Sequence, residues 1–99
     1  MILHIVLFRF KAGTAADRIA DAGRALCAMQ GRIPEIRRVD WGPNLAPGSA
    51  EYSHLLLVTV DDMAAVQRYL DHPHHLETVA TFLAPIREAR LAADIEVPR

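Results

Sequence analysis

The sequence predicts an α+β fold, β-α-β-β-α-β in order, with an antiparallel four-stranded sheet and its helices on one face. Three observations carry that prediction. Segments rich in β-branched and aromatic residues alternate with segments of helical periodicity. Two of the strand segments are apolar on both faces, as central strands are when something covers each side. Hydrophobic residues make up 52% of only 99, which is generous for so small a globule. A subunit interface is the ordinary destination for such a surplus.

Residues 2–10 (ILHIVLFRF) form the first expected strand, with Ile2, Val6, Phe8 and Phe10 on one face and Leu3, Ile5 and Leu7 on the other. Thr14 then opens a helix, with Asp17 three residues on as a variant capping box. Ile19, Ala22, Leu26 and Met29 follow along one apolar stripe, and Gly31 with Pro34 stops it. Residues 35–42 (EIRRVDWG) read as a more polar strand at a sheet edge. Gly42 to Ala50 is turn chemistry throughout, hence a loop. Residues 52–60 form a third strand, again apolar on both faces.

Asp61 or Asp62 caps a second helix carrying Met63, Val66 and Leu70. Pro73 interrupts it at His72, because the residue before a proline is pushed out of the helical region. Proline suits the first position of a helix, so a new one is expected from Pro73 towards Leu83, ended by Pro85. Residues 88–97 close the fold as a fourth strand, with Ala89, Leu91, Ala93, Ile95 and Val97 on one side.

This order is the ferredoxin-like, split βαβ arrangement, and its uncovered sheet face must meet something apolar. A second copy of the same sheet is the simplest answer, so a homodimer of the α+β-barrel kind is expected. Nothing marks a linker or repeat, and residues 1–99 read as a single domain. Eleven basic and twelve acidic side chains leave a net charge of −1, unlike the basic footprint of a nucleic-acid binder. No apolar run approaches a bilayer span. The first residues lack the basic flank and cleavage site of a secretory signal. The single cysteine, Cys27, cannot form an internal disulfide and suits a reducing compartment. Its place beside the first helix's stripe reads as a buried bystander. A cytoplasmic protein is expected, with no membrane or nucleic-acid partner.

Chemistry is expected around Tyr69-Leu-Asp-His-Pro-His-His75. His74 reads equally well as a surface residue at a helix start. Zinc would need three or four ligands at defined spacing, and no Cys, Asp or Glu constellation accompanies these histidines, so no metal is expected. His75 falls in the first turn after Pro73, where the helix dipole disfavours an imidazolium. A neutral imidazole is what a general base requires. Tyr69 precedes the break, and the change of direction at Pro73 lets it converge with His75 on one cavity. The alternative for Tyr69 is an amphipathic side chain at the core's edge. His4 and His54 sit on apolar strand faces, either as satisfied core residues or as a polar cavity lining. Asp94, on the face opposite Leu91 and Ala93, either orients a histidine or faces solvent. No phosphate loop or nucleotide fingerprint is present, and no cofactor is implied.

Three stretches make the chain resemble the stress-responsive A/B-barrel (Dabb) family. They are His4-Ile-Val-Leu-Phe-Arg-Phe10, Trp41-Gly-Pro-Asn44, and Tyr52-Ser-His54 together with the Y-x-x-H-P-x-H element from Tyr69 to His75. The resemblance implies a ferredoxin-like fold that dimerises by sheet packing, with a hydrophobic cavity between helices and sheet. Certain plant members are cofactor-free polyketide cyclases using a tyrosine and a histidine, which match Tyr69 and His75. His4, His54 and Asp94 have counterparts in the same resemblance, as residues that contact substrate. Two functions follow as expectations. One is a cofactor-independent lyase, cyclase or isomerase acting on a small carbonyl or polyketide-like compound. The other is a non-catalytic stress-responsive dimer binding a small apolar ligand.

Overall fold

The computed structural model describes residues 1–48 and 51–98. Ser49 and Ala50 of the expected loop, and Arg99, lie outside the described residues. The strands are β1 (Ile2–Phe10), β2 (Arg38–Pro43), β3 (His54–Val60) and β4 (Arg87–Glu96). The helices are α1 (Ala16–Cys27), α2 (Met63–Asp71) and α3 (Pro73–Thr78), the last running into a π-helical turn at Val79–Leu83. The sheet is antiparallel in the order β2-β3-β1-β4. The two strands read as apolar on both faces are therefore the central pair, and polar β2 is an edge.

Alternation along β1 sorts the two faces. Ile2, His4, Val6 and Phe8 are buried beneath the helices, while Leu3, Ile5 and Leu7 are half-buried on the uncovered face. Leu56, Val58 and Val60 of β3 join the first set. Ala22 and Leu26 of α1, and Met29 just beyond it, pack on that sheet face, with Ile19 at its margin. Cys27, expected to be buried, is exposed. At 100° per residue, one step beyond Leu26 has already left the stripe. The expected cap at Thr14 is also displaced. Its hydroxyl donates to the Lys11 carbonyl at 2.6 Å within a tight turn at Gly13 (φ 79°), and the helix starts later, behind Ala15.

Asp62 caps α2, accepting from the Ala65 amide at 2.8 Å. The buried stripe of α2 is Ala65, Val66 and Tyr69, not the expected Met63, Val66 and Leu70; Met63 is exposed. The helix breaks at His72, whose backbone is extended (φ −64°, ψ 135°), and Pro73 starts α3. His72 also caps that helix: its Nδ1 accepts from the His74 amide at 3.0 Å. The single helix expected up to Leu83 widens at its end, where the Ala84 amide donates to the Val79 carbonyl five residues back. Such wide turns are rare and often found beside functional sites. No helix among the described residues is long and apolar enough to cross a membrane.

Candidate functional site

A cavity of about 160 Å³ lies between the helices and the covered face of the sheet. Its apolar lining includes Phe8, Leu26, Leu56 and Leu83. Its polar lining is His4, Tyr69, His75, Arg87 and Arg90. Each of these is placed by a separate piece of local structure.

Tyr69, in the last turn of α2, is 1% exposed, so it belongs to the core and not to the core's edge. Burial pushes its phenol above the ordinary value of 10.0, a rise that the nearby Arg90 charge opposes. Among the described residues its hydroxyl has no hydrogen-bond partner. Two imidazoles meet its ring edge-on, His75 at 4.8 Å and His4 at 5.8 Å between centroids.

The break at Pro73 brings His75 back onto the end of α2. His75 Nδ1 lies 2.8 Å from the Leu70 carbonyl. A carbonyl oxygen only accepts, so Nδ1 donates and carries the proton, which leaves the lone pair on Nε2. Burial depresses the His75 pKa below the ordinary 6.5. The Leu70 bond opposes that shift, and the His4, Arg90 and His72 charges add to it. The ring is therefore neutral at pH 7, and the principal cause is burial; the expected helix dipole is not needed.

His4 is 4% exposed, and its Nδ1 lies 2.5 Å from Asp94 Oδ1 on the neighbouring strand. The register that pairs His4 with Asp94 makes this contact directly across the β1–β4 ladder. Asp94 thus orients the His4 ring from outside the cavity lining.

His54 is not brought into this group. The ladder places His4 opposite Val58 and His54 opposite Phe8, about 13 Å apart along the strands at 3.3 Å per residue. His54 instead stacks on Trp41 at 5.2 Å, meets Phe10 edge-on at 5.5 Å, and has Nδ1 2.9 Å from Ser53 Oγ. Burial there lowers its pKa. His74 is half-buried and outside the cavity lining. Among the described residues, no group of three or more His, Cys, Asp or Glu side chains is placed to hold a metal ion.

Sequence reasoning missed Arg87 and Arg90. Arg90 was readable as the β4 residue two before Ala92 on the Asp94 face. Arg87 was not, because it reaches that face through an irregularity of the strand taken up below.

Comparison with known proteins identifies the family. An uncharacterised protein of Streptomyces coelicolor is 34% identical over 82 residues, covering 81% of this chain and 84% of that one. Olivetolic acid cyclase of Cannabis sativa is 23% identical, covering 76% of each chain. Among solved structures, a dimeric ferredoxin-like protein from Thermobifida fusca superposes with a TM-score of 0.82 at 27% identity, over 97% of this chain and 90% of that one. Hydroxynitrile lyase from Passiflora edulis gives 0.85 at 22% identity, over 98% and 93%, a likeness of fold. The family model described as the stress responsive A/B barrel domain matches residues 2–97, and the chain belongs to that family.

Proposed function

We propose that the chain is a cofactor-independent lyase, cyclase or isomerase that moves a proton on a small carbonyl compound held in the cavity. One observation carries this reading. A neutral histidine whose proton is fixed at Nδ1 lies ring-to-ring with a buried tyrosine whose hydroxyl has no partner among the described residues. His75 Nε2 accepts a proton from the carbon alpha to the carbonyl. The C–H electron pair forms the enolate double bond, and the carbonyl π pair moves to oxygen. The Tyr69 hydroxyl donates a hydrogen bond to that oxygen, and its raised pKa keeps it protonated for the task. In an isomerase, His75 returns the proton to another atom of the enolate. In a cyclase, the enolate carbon attacks a second carbonyl of the same molecule and the proton goes to the new alkoxide. His4, held by Asp94, meets the Tyr69 ring edge-on; His54, packed on Trp41 and Phe10, is outside the cavity lining.

A positioned base contributes about 10²–10⁴ in rate, and an oxyanion donor about 10²–10³. The test is deuterium wash-in at the alpha carbon of acetophenone and phenylacetone, followed by NMR. His75→Ala should slow exchange by at least about a hundredfold and Tyr69→Phe by a similar order. Wild-type exchange no faster than buffer, or unchanged in His75→Ala, removes the reading.

The apolar lining of the cavity supports a second reading, a non-catalytic protein that holds a small apolar ligand. Co-purification of such a ligand with a wild-type protein that catalyses no exchange would favour it. In either case the chain acts as a single-domain cytoplasmic homodimer, joined through the uncovered face of the sheet.

A further inference from the structure

The lining of the cavity holds two arginines and no acid. Arg87 and Arg90 both line it, and no carboxylate does among the described residues. Neither arginine has an ion-pair partner among the described residues, although Arg9, Arg24, Arg37, Arg38 and Arg68 all do. Burial pushes the Arg87 guanidinium below its ordinary value, and the Arg90 charge adds to the shift.

The backbone makes this pairing by an irregularity. Residues three apart on a regular strand point to opposite faces, so Arg87 and Arg90 should be separated. Instead the β1–β4 ladder steps from Arg9↔Ala89 to Phe10↔Arg87, leaving Glu88 as an extra residue on β4. That bulge turns Arg87 to the same face as Arg90, which pairs with Phe8. Glu88 goes to the other face, where its carboxylate lies 3.3 Å from Arg9 Nε. Bulges re-aim side chains in this way beside active sites. Here the bulge sends the acid to a partner outside the cavity and leaves two like charges together inside its rim. Arg87 is half-buried and Arg90 exposed, so an anion arriving at the rim meets two positive charges with no carboxylate between them.

We propose that Arg87 and Arg90 receive a carboxylate, so that the cavity takes a small carbonyl compound that is also a carboxylic acid. The guanidinium fork matches a carboxylate in two parallel hydrogen bonds. The volume, about 160 Å³, fits one ring, since a cavity of about 150 Å³ takes benzene. The carboxylate would sit on the arginines at the β4 end, with the ring against Phe8, Leu26 and Leu56 and the reacting carbon towards Tyr69 and His75. Both Tyr69 and His75 feel the Arg90 charge, so the same residue that binds the anion also favours an enolate. This inference rests on the cavity being the substrate site proposed above.

The test compares benzoate with benzamide, two probes of one shape and different charge, by calorimetry at about pH 8, where histidines are neutral. Wild type should bind benzoate at least about tenfold more tightly than benzamide. Arg90→Gln and Arg87→Gln should each remove most of that preference. Arg90 is exposed on an edge strand, and circular dichroism verifies the fold of each variant. Equal affinity for the two probes, binding of neither, or a preference that survives both substitutions overturns the proposal. Binding is read without turnover, so the two failures are distinct. If the catalytic reading alone is wrong, the benzoate preference remains and His75→Ala leaves exchange unchanged. If this inference alone is wrong, exchange still depends on His75 and the preference is absent.

Discussion

At His75 a backbone carbonyl fixes which nitrogen holds the proton, and burial fixes how weakly a second proton is held. The groups that face it are the Leu70 carbonyl from α2, Tyr69 on the same helix, His4 from β1, Arg90 from β4 and its neighbour His72. Every charge among them is positive or becomes so on protonation. Folding therefore lowers the His75 pKa from the unfolded value near 6.5. The sign of the linkage follows: the unfolded chain binds the proton more readily, so stability is full above pH 6.5 and falls as pH drops through the folded value. His54, lowered by burial alone, acts in the same direction. Urea midpoints should thus decline below pH 6.5, and His75→Gln should reduce that slope without abolishing it. A slope identical in wild type and His75→Gln would show that His75 is not the group. The exchange rate should have an acid limb centred below 6.5. Tyr69, raised above 10.0, should produce no alkaline limb before that value.

Close approach decides the packing of α1 on β2. A Cβ at Gly23 would lie 2.7 Å from Trp41 Cδ1 and 2.9 Å from Cε2, nearer than heavy atoms tolerate. The Trp41 ring has little room to give, since it also contacts Phe8 and stacks on His54. Gly23→Ala gains about 0.8–1.0 kcal/mol in helix propensity and meets an overpacking cost of about 1–3 kcal/mol. The expected result is a lower urea midpoint at unchanged m-value; a stabilised variant would contradict the packing. This contact was invisible in the sequence because it joins a helix glycine to a strand eighteen residues on. The order of elements was legible for the opposite reason: alternation and helical periodicity are local, and Pro73 marks its break by itself. So Tyr69 and His75 could be paired from the sequence, because the device that pairs them is local. Arg87 could not, since its face depends on which residue of β4 is left unpaired opposite Phe10. A strand begun at residue 88 leaves it out altogether. His54 shows the same dependence, as only the register reveals its distance from His4. Cys27 and Met63 were misplaced by a single step of helical phase.

For the whole molecule, what remains open is the sheet face turned away from the helices. Leu3, Ile5 and Leu7 of β1 stand in register with Ile95, Ala93 and Leu91 of β4 across it. Leu91 is 56% exposed and Ile95 48%, and Leu55 and Leu57 extend the patch along β3. An apolar strip across three strands is unlike the scattered exposed residues of a monomer. β2 borders it with an Arg38–Asp40 ion pair, the polar rim that interfaces keep. The Thermobifida fusca neighbour is dimeric, and a second copy of the same face is self-complementary by symmetry. Light scattering at micromolar concentration should therefore give twice the chain mass, and a monomeric mass would end the proposal. Ile5→Glu, at the middle of the strip, should yield the monomer. Its consequences should reach the cavity, because the strand that carries Ile5 outward carries His4 inward. β4, which supplies Arg87, Arg90 and Asp94, is held within one sheet by β1 alone. Loss of the partner sheet should therefore lower the melting temperature, and the melting temperature of the wild-type dimer should rise with protein concentration. It should also weaken benzoate binding through a loosened β4. An Ile5→Glu monomer that melts and binds like the dimer would separate the interface from the site, and the coupling argued here would be lost.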